Sequence, residues 1–336
     1  MTQRFRRGLV VGKFCPLHRG HMLLIDSALE ACDEVFVISY TNPEFAGCGP
    51  AVREGWLAAL YPQVRSVVLE DRVAVPLPHN DAPEADHRSF VGWICRELLN
   101  TEVDAVFTSE DYGDGFAAAL NGYFGAAVAH VCVDKARGRV PVSGTAIRRN
   151  PHAYREFLDP RVYASFVKRV AILGGESSGK TTLACDLATA LGTVWAPEYG
   201  RERWIATGGD LSFEDMREIG QEQVWREERL AQQATQWLVC DTTPLTTLCY
   251  SLDKFGAADP VLEHLAERRY DAVIVCTPDF PFIQDGTRRD TDFQSMQQKW
   301  YQIALDKRQI AYTVVAGPRE ERVRRATSLL QLQTPS

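Results

Sequence analysis

The sequence predicts an α/β protein of two domains in tandem, each with a largely parallel sheet. Three observations predict it. A phosphate-loop pattern, Gly174-x-x-x-x-Gly179-Lys180-Thr181, stands at mid-chain between an apolar run at 170–173 and a stretch of helical spacing at 183–191. A second strand–turn–helix unit opens the chain: 9–11 reads as a buried strand, Gly12 to His21 as a turn and 22–31 as a helix. Apolar runs and helical stretches then alternate, as they do where helices cover a parallel sheet. A phosphate loop normally follows the first strand of its own domain, which leaves about half the chain for the other.

With 336 residues, 45% hydrophobic and 24% charged, the chain is long enough for two cores. A formal charge of -7 and a pI near 5.6 argue against a general nucleic-acid binder, which would carry a basic face. Nine cysteines sit singly, with Cys95, Cys132, Cys185, Cys240 and Cys276 in apolar runs and no C-x-x-C pair. Reduced core thiols in a cytoplasmic protein fit this better than disulfides or zinc. No apolar run reaches membrane-spanning length, and the opening MTQRFRRGLVV lacks a signal peptide's long apolar stretch. Neither repeats nor low-complexity tracts are present. Small molecules are therefore the expected partners, without nucleic acid or membrane, and a homo-oligomer is left open.

In the first half, His18-x-Gly20-His21 lies at a strand-to-helix turn. Gly20 lets the backbone approach a phosphate, the helix start favours an anion, and two imidazoles can donate to charge developing on a phosphate under attack. A pair of helix-capping histidines is the bland reading. Strands are expected at 34–39, 66–69, 103–108 and 129–133, helices at 53–60 and 90–99, and Ser109 follows a strand's carboxyl end, where open α/β sheets place ligands. Trp93 is balanced between packing and stacking on a substrate ring, and Arg53 between surface charge and a phosphate contact.

Residues 150–160 carry two prolines, and 151–167 reads as a short helical connector. In the second half the glycines Gly174, Gly175 and Gly179 let the loop, with Glu176, Ser177, Ser178 and Thr182, turn its N–H groups to a phosphate chain. Lys180 would reach the β- and γ-phosphates, and the Thr181 hydroxyl would ligate Mg²⁺. Glu198, Tyr199 and Arg201 form an acidic–aromatic–basic cluster suited to a nucleoside. A long helical stretch is expected at 211–237, followed by an apolar strand ending in Asp241. Asp241 would hold Mg²⁺ or take a proton from an attacking hydroxyl, a choice left open. Further strands are expected at 271–277 and 311–316, with a helix at 293–305. Arg288 and Arg289, in a Gly-containing loop, suit a lid closing on phosphates.

The segment Gly12-Lys13-Phe14-Cys15-Pro16-Leu17-His18-Arg19-Gly20-His21 resembles the G-x-F-x-P-x-H-x-G-H signature of nucleotidyltransferases. Val142-Ser143-Gly144-Thr145-Ala146-Ile147-Arg148 is similar to their late I-S-x-T-x-[IV]-R segment. That resemblance implies that Gly12, Lys13, Phe14, Gly20, Ser109, Ser143 and Thr145 bind ATP, with His18, His21 and Arg148 as catalytic groups. Asn80, Asp81 and Trp93 resemble the nicotinamide pocket of mononucleotide adenylyltransferases. The order of the two motif sets resembles the bifunctional nicotinamide-mononucleotide adenylyltransferase/ribosylnicotinamide kinase (NadR-type) family over nearly the whole chain. It implies a Rossmann-like nucleotidyltransferase fold over 1–150 and a P-loop kinase fold over 168–336. It implies two reactions in series, from nicotinamide riboside through the mononucleotide (NMN) to NAD, each using ATP with Mg²⁺.

Three departures stand out. The first strand begins by residue 9, so the DNA-binding domain that some relatives carry in front is not expected. Cys15 occupies a position often aromatic in relatives. Asp241-Thr242-Thr243 lacks the second acid of the family's D-T-D run, which leaves Asp241 as the one candidate kinase base. The rival readings are the same folds acting on another acceptor pair, and a nucleotide sensor with one inactive half.

Overall fold

The computed structural model describes residues 4–71, 76–136 and 138–332. The chain divides into two compact units at Phe166 and Val167, so residues 151–166, expected as a connector, pack with the first unit.

The first unit is built on five parallel strands, β1 (Phe5–Gly12), β2 (Cys32–Ser39), β3 (Arg65–Val68), β4 (Ala105–Thr108) and β5 (Ala129–Cys132), in the order β3-β2-β1-β4-β5. The helices are α1 (Arg19–Ala31), α2 (Pro50–Leu60), α3 (Glu84–Trp93), α4 (Gly113–Phe124), α5 (Gly144–Arg149) and the short α6 (Pro160–Tyr163). α3 runs on through a π-helical turn at Ile94–Leu98. Leu9, Phe36, Ile38 and Val106 turn one face of the sheet to Val91, Ile94, Phe116 and Leu120. With apolar side chains facing both ways, the central strands read as unbroken apolar runs. The order reverses direction between β1 and β4, and a crevice opens there at the strands' carboxyl ends.

The second unit repeats the plan with β6 (Lys168–Leu173), β7 (Trp195–Ala196), β8 (Trp237–Asp241), β9 (Ala272–Cys276) and β10 (Thr313–Val315), in the order β10-β9-β6-β8-β7, again all parallel. Its helices are α7 (Lys180–Ala190), α8 (Tyr199–Ala206), α9 (Phe213–Ala231), α10 (Pro244–Phe255), α11 (Pro260–Leu265), α12 (Thr291–Lys307) and α13 (Arg319–Leu332). Successive residues of β6 point to opposite faces: Val170 and Ile172 pack with Leu183 and Leu187, Ala171 and Leu173 with Leu245 and Leu248. The helical stretch expected to reach residue 237 stops at Ala231, and Trp237 opens a strand instead. None of the described helices is long and apolar enough to cross a membrane. All nine cysteines are free; Cys132 and Cys185, expected in the core, are exposed.

Candidate active sites

The β1–α1 turn is held by its own histidines. His18 Nδ1 accepts from Gly20 N–H at 3.1 Å, and His21 Nδ1 accepts from His18 N–H at 3.4 Å. The capping reading is thus realised, and it coexists with a cavity-facing role. The two rings stack with centroids 3.9 Å apart and line a cavity of about 500 Å³ with Gly12, Lys13, Gly20, Ser109, Ser143, Thr145 and Arg148. Burial, reinforced by His18, pushes the His21 imidazole well below its usual value, so the ring is neutral. Phe14 does not line the cavity; it is buried with its ring against His21, 4.8 Å between centroids.

Arg148 joins the two motifs. Its Nη1 donates to Cys15 O at 2.6 Å, its Nη2 to Thr145 Oγ1 at 2.9 Å, and the guanidinium lies 4.1 Å above the Phe45 ring. Ser143 caps α5 by accepting from Ala146 N–H, which leaves its own O–H to donate. A Cβ on Gly144 would meet Arg148 Nη1 at 3.1 Å, Cys15 O at 3.3 Å and His18 Nε2 at 3.8 Å, so glycine is what lets the segments close on one another.

Four expected substrate contacts lie elsewhere. Arg53 is fully buried. Its guanidinium donates to both Glu44 carboxylate oxygens at 3.0 Å, to Thr41 Oγ1 at 3.0 Å and to Leu69 O at 3.3 Å, which makes it an internal brace. Trp93 stacks on Phe90 at 5.8 Å against the core. Asn80 ties its amide to Pro43 O, and Asp81 is exposed. The cavity wall opposite the phosphate turn is instead made by Tyr40, His87, Arg88 and Tyr112, which come from separate elements and carry no local signature. Behind Thr108 runs a chain in which its Oγ1 meets His130 Nε2 at 2.8 Å and His130 Nδ1 meets Asp114 at 2.7 Å.

In the second unit, Gly174 (φ 140°) and Gly179 (φ 82°) take left-handed conformations, and a Cβ on Gly174 would strike Cys276 O at 2.5 Å. Neither Gly174 nor Gly175 lines the adjoining cavity of about 610 Å³, whereas Glu176 to Thr182 do. Lys180 Nζ folds back to Gly175 O at 3.0 Å. Arg322 braces the loop from below, donating to Ser178 O at 2.7 Å, Thr277 O at 2.9 Å and Gly317 O at 2.9 Å.

The 278–290 segment docks on this loop. Ser177 Oγ accepts from Ile283 N–H at 3.0 Å and from Arg288 Nη1 at 3.2 Å, and Glu176 accepts from Arg289 N–H at 2.7 Å and from Tyr250 at 2.8 Å. Only Arg288 turns its guanidinium to the loop; that of Arg289 pairs with Asp253 over the Phe293 ring. Arg201 bonds Asp285 at 3.1 Å and reaches toward Glu198.

Asp241 is buried, with Oδ1 lacking a partner. Burial first and the Glu198 charge second push its carboxyl up to about 7, against the Thr181 hydroxyl, Lys180 and Arg201. Glu198 lines the cavity and Asp241 does not. Tyr199 also falls outside the lining, its ring 5.1 Å from the Arg226 guanidinium. Thr243, where the resemblance predicts an acid, accepts from Leu245 N–H and caps α10. Among the described residues, no group of three or more His, Cys, Asp or Glu is arranged to hold a metal.

Comparison with known proteins bears on both units. Residues 169–322 match a family model described as "AAA domain". The trifunctional NAD biosynthesis/regulator protein NadR of Escherichia coli (strain K12) is 30% identical over 301 residues, spanning 84% of this chain and 71% of that protein. The chain belongs to the NadR family. The Salmonella typhimurium NadR is 31% identical over 308 residues with the same coverage. Two crystal structures of NadR protein share the fold at 20% identity. One, in complex with NAD and AMP-PNP, has a TM-score of 0.71 over 99% of this chain and 98% of its own. The other, in complex with NR, has a TM-score of 0.73 over 100% and 98%. NadR-family membership thus extends to both units, each with its own cavity at the strands' carboxyl ends.

Proposed function

We propose that the first unit, as a Rossmann-like nucleotidyltransferase, transfers the adenylyl group of ATP to NMN, giving NAD and pyrophosphate. The second, as a P-loop kinase, phosphorylates nicotinamide riboside to that mononucleotide. The observation that carries this reading is the convergence of separated phosphate motifs on one nucleotide-sized cavity in each unit of a NadR-family chain.

In the first cavity, the mononucleotide's phosphate oxygen attacks the α-phosphorus of ATP. Arg148, pre-positioned by Cys15 and Thr145, and the stacked histidines face the charge that develops. Glu110 on the wall favours a cationic pyridinium ring, and Tyr112 lines the same wall.

In the second, Lys180 exchanges Gly175 O for phosphate, and Arg288 supplies charge from the docked segment. A neighbouring cavity of about 280 Å³, lined by Phe280, Pro281 and Arg322, suits the base of ATP. The buried, unpartnered Asp241 Oδ1 beside Thr181 fits Mg²⁺, and these two residues would hold it. Bound there, the ion would neutralise phosphate charge. Glu198, on the cavity wall, is then the group that takes the proton from the riboside's 5′-hydroxyl.

The test incubates the protein with MgATP and nicotinamide riboside and follows the mononucleotide and NAD by chromatography. The series predicts NAD from the native chain, accumulated mononucleotide from His21→Ala and neither product from Lys180→Ala. Adenylylation of added mononucleotide with the riboside untouched would assign the kinase another substrate or a sensing role. No turnover of either would overturn the reading.

A further inference from the structure

Cys15 lies inside the first phosphate turn, and its carbonyl is what Arg148 grips at 2.6 Å. Its thiol donates to Lys13 O at 3.1 Å and, at 3.8 Å, to Cys48 O, with the Cys48 thiol beside it. Arg53 Nη1 stands 3.4 Å from the same sulfur, with its guanidinium held in place by Glu44. A clamped cation beside one thiol, with a second thiol against it, is the environment that makes a cysteine reactive. The Cys48 hydrogen bond, and after it Arg53, hold the Cys15 thiol down at about 7 against the effect of burial. Cys95 and Cys249, by contrast, are pushed up to about 12 by burial, which keeps them inert. Cys15 is buried and borders the first cavity, the side from which a small solute would approach it.

We propose that Cys15 and Cys48 form a reversible disulfide on exposure to a peroxide, and that this disulfide switches off the first unit. The Cys15 thiolate attacks one peroxide oxygen; the O–O bond breaks, the second oxygen leaves as hydroxide, and Cys15 becomes a sulfenic acid. The Cys48 sulfur then attacks the Cys15 sulfur. The S–S bond forms, the S–O bond breaks, and the hydroxyl leaves as water with the Cys48 proton. Each sulfur loses one electron and the peroxide gains two. A dithiol reverses the bond by exchange. Bonding at about 2 Å draws the Cys15 sulfur onto Cys48 and takes its carbonyl from Arg148. The loss of activity rests on the adenylyl transfer proposed above; formation of the disulfide does not.

The experiment treats the intact protein with hydrogen peroxide, alkylates the remaining thiols and maps peptides by mass spectrometry. The expected result is a 15–48 cross-link. NAD formation from ATP and the mononucleotide should fall at least tenfold and return with dithiothreitol, while riboside phosphorylation persists. Cys48→Ser should start with normal adenylyl transfer, form no cross-link, and lose activity beyond rescue under prolonged peroxide as Cys15 passes to the sulfinic acid. Cys15 and Cys48 both alkylated after peroxide would overturn the disulfide, and a full cross-link with adenylyl transfer intact would overturn the switch. If the untreated protein leaves the mononucleotide unchanged, the activity assignment falls, and the cross-link still decides the disulfide.

Discussion

Replacing Arg53 by methionine separates an internal brace from a substrate contact. The buried guanidinium makes two bonds of 3.0 Å to Glu44, one of 3.0 Å to Thr41 and one of 3.3 Å to Leu69 O. Breaking a buried ion pair costs roughly 3–5 kcal/mol because the remaining charge is left uncompensated. The Glu44 side chain is 30% exposed and can recover some hydration, so the lower end, about 3 kcal/mol, applies. With a urea dependence of about 2 kcal/mol per molar, the first unit's midpoint should fall by roughly 1.5 M. Hydrogen exchange read by mass spectrometry assigns the loss to its unit. Peptides from β2 and α2 should lose protection, and peptides from β6 and β8 should keep theirs. Unchanged protection in β2 and α2, together with a tenfold rise in KM for the mononucleotide, would refute the brace.

Gly144→Ala places a methyl 3.1 Å from Arg148 Nη1 and 3.3 Å from Cys15 O. Steady-state assays should show kcat for adenylyl transfer down by about tenfold or more, with riboside phosphorylation unaltered. Glu198→Gln should lower kcat for riboside phosphorylation by at least about 100-fold with little change in KM for ATP, as removal of a general base does. Asp241→Asn should instead weaken the dependence on Mg²⁺, read as a rise in the concentration giving half the maximal rate. Glu227 supplies a pH test away from either cavity. Burial pushes its carboxyl up to about 7 against the Arg268 charge and the Tyr270 hydroxyl, while the unfolded acid titrates near about 4.3. Folding therefore favours the protonated acid: that stabilisation is complete below about pH 4 and is lost as pH rises through about 7. Thermal melts of the second unit should fall between pH 5 and pH 8, and Glu227→Gln should flatten that fall; an equally steep slope in the variant would reject this cause.

What the sequence made legible is what chain-local geometry encodes. His18, Gly20 and His21 sit within one turn, and Gly174 to Thr181 form one loop, so spacing alone places their backbone groups around a phosphate. The strands were readable because apolar side chains face both sides of each sheet. At the first cavity, α4 escaped periodicity for a local reason. It opens with two glycines in Gly113-Asp114-Gly115 and carries a third at Gly122, so it lacks the composition of a strong helix former. α10 could have been found from its start, where Thr243 caps and Pro244 takes the first position.

The misplaced residues share a different cause. Arg53 and a phosphate-binding arginine look alike in a sequence, because what distinguishes them is the partner, and Glu44 reaches Arg53 only once the loop before α2 has folded over it. Thr243 appeared as the loss of an acid. In the fold its position is a helix cap outside the cavity lining, while Glu198, one of the carboxylates that do face the cavity, follows the neighbouring edge strand β7. The proximity of Glu198 to Asp241 is a consequence of β7 pairing with β8, which no spacing along the chain encodes. That same proximity acts on Asp241: two carboxylates in one site repel, so the buried one, pushed up by burial and by the Glu198 charge, is the one that gains most from a cation.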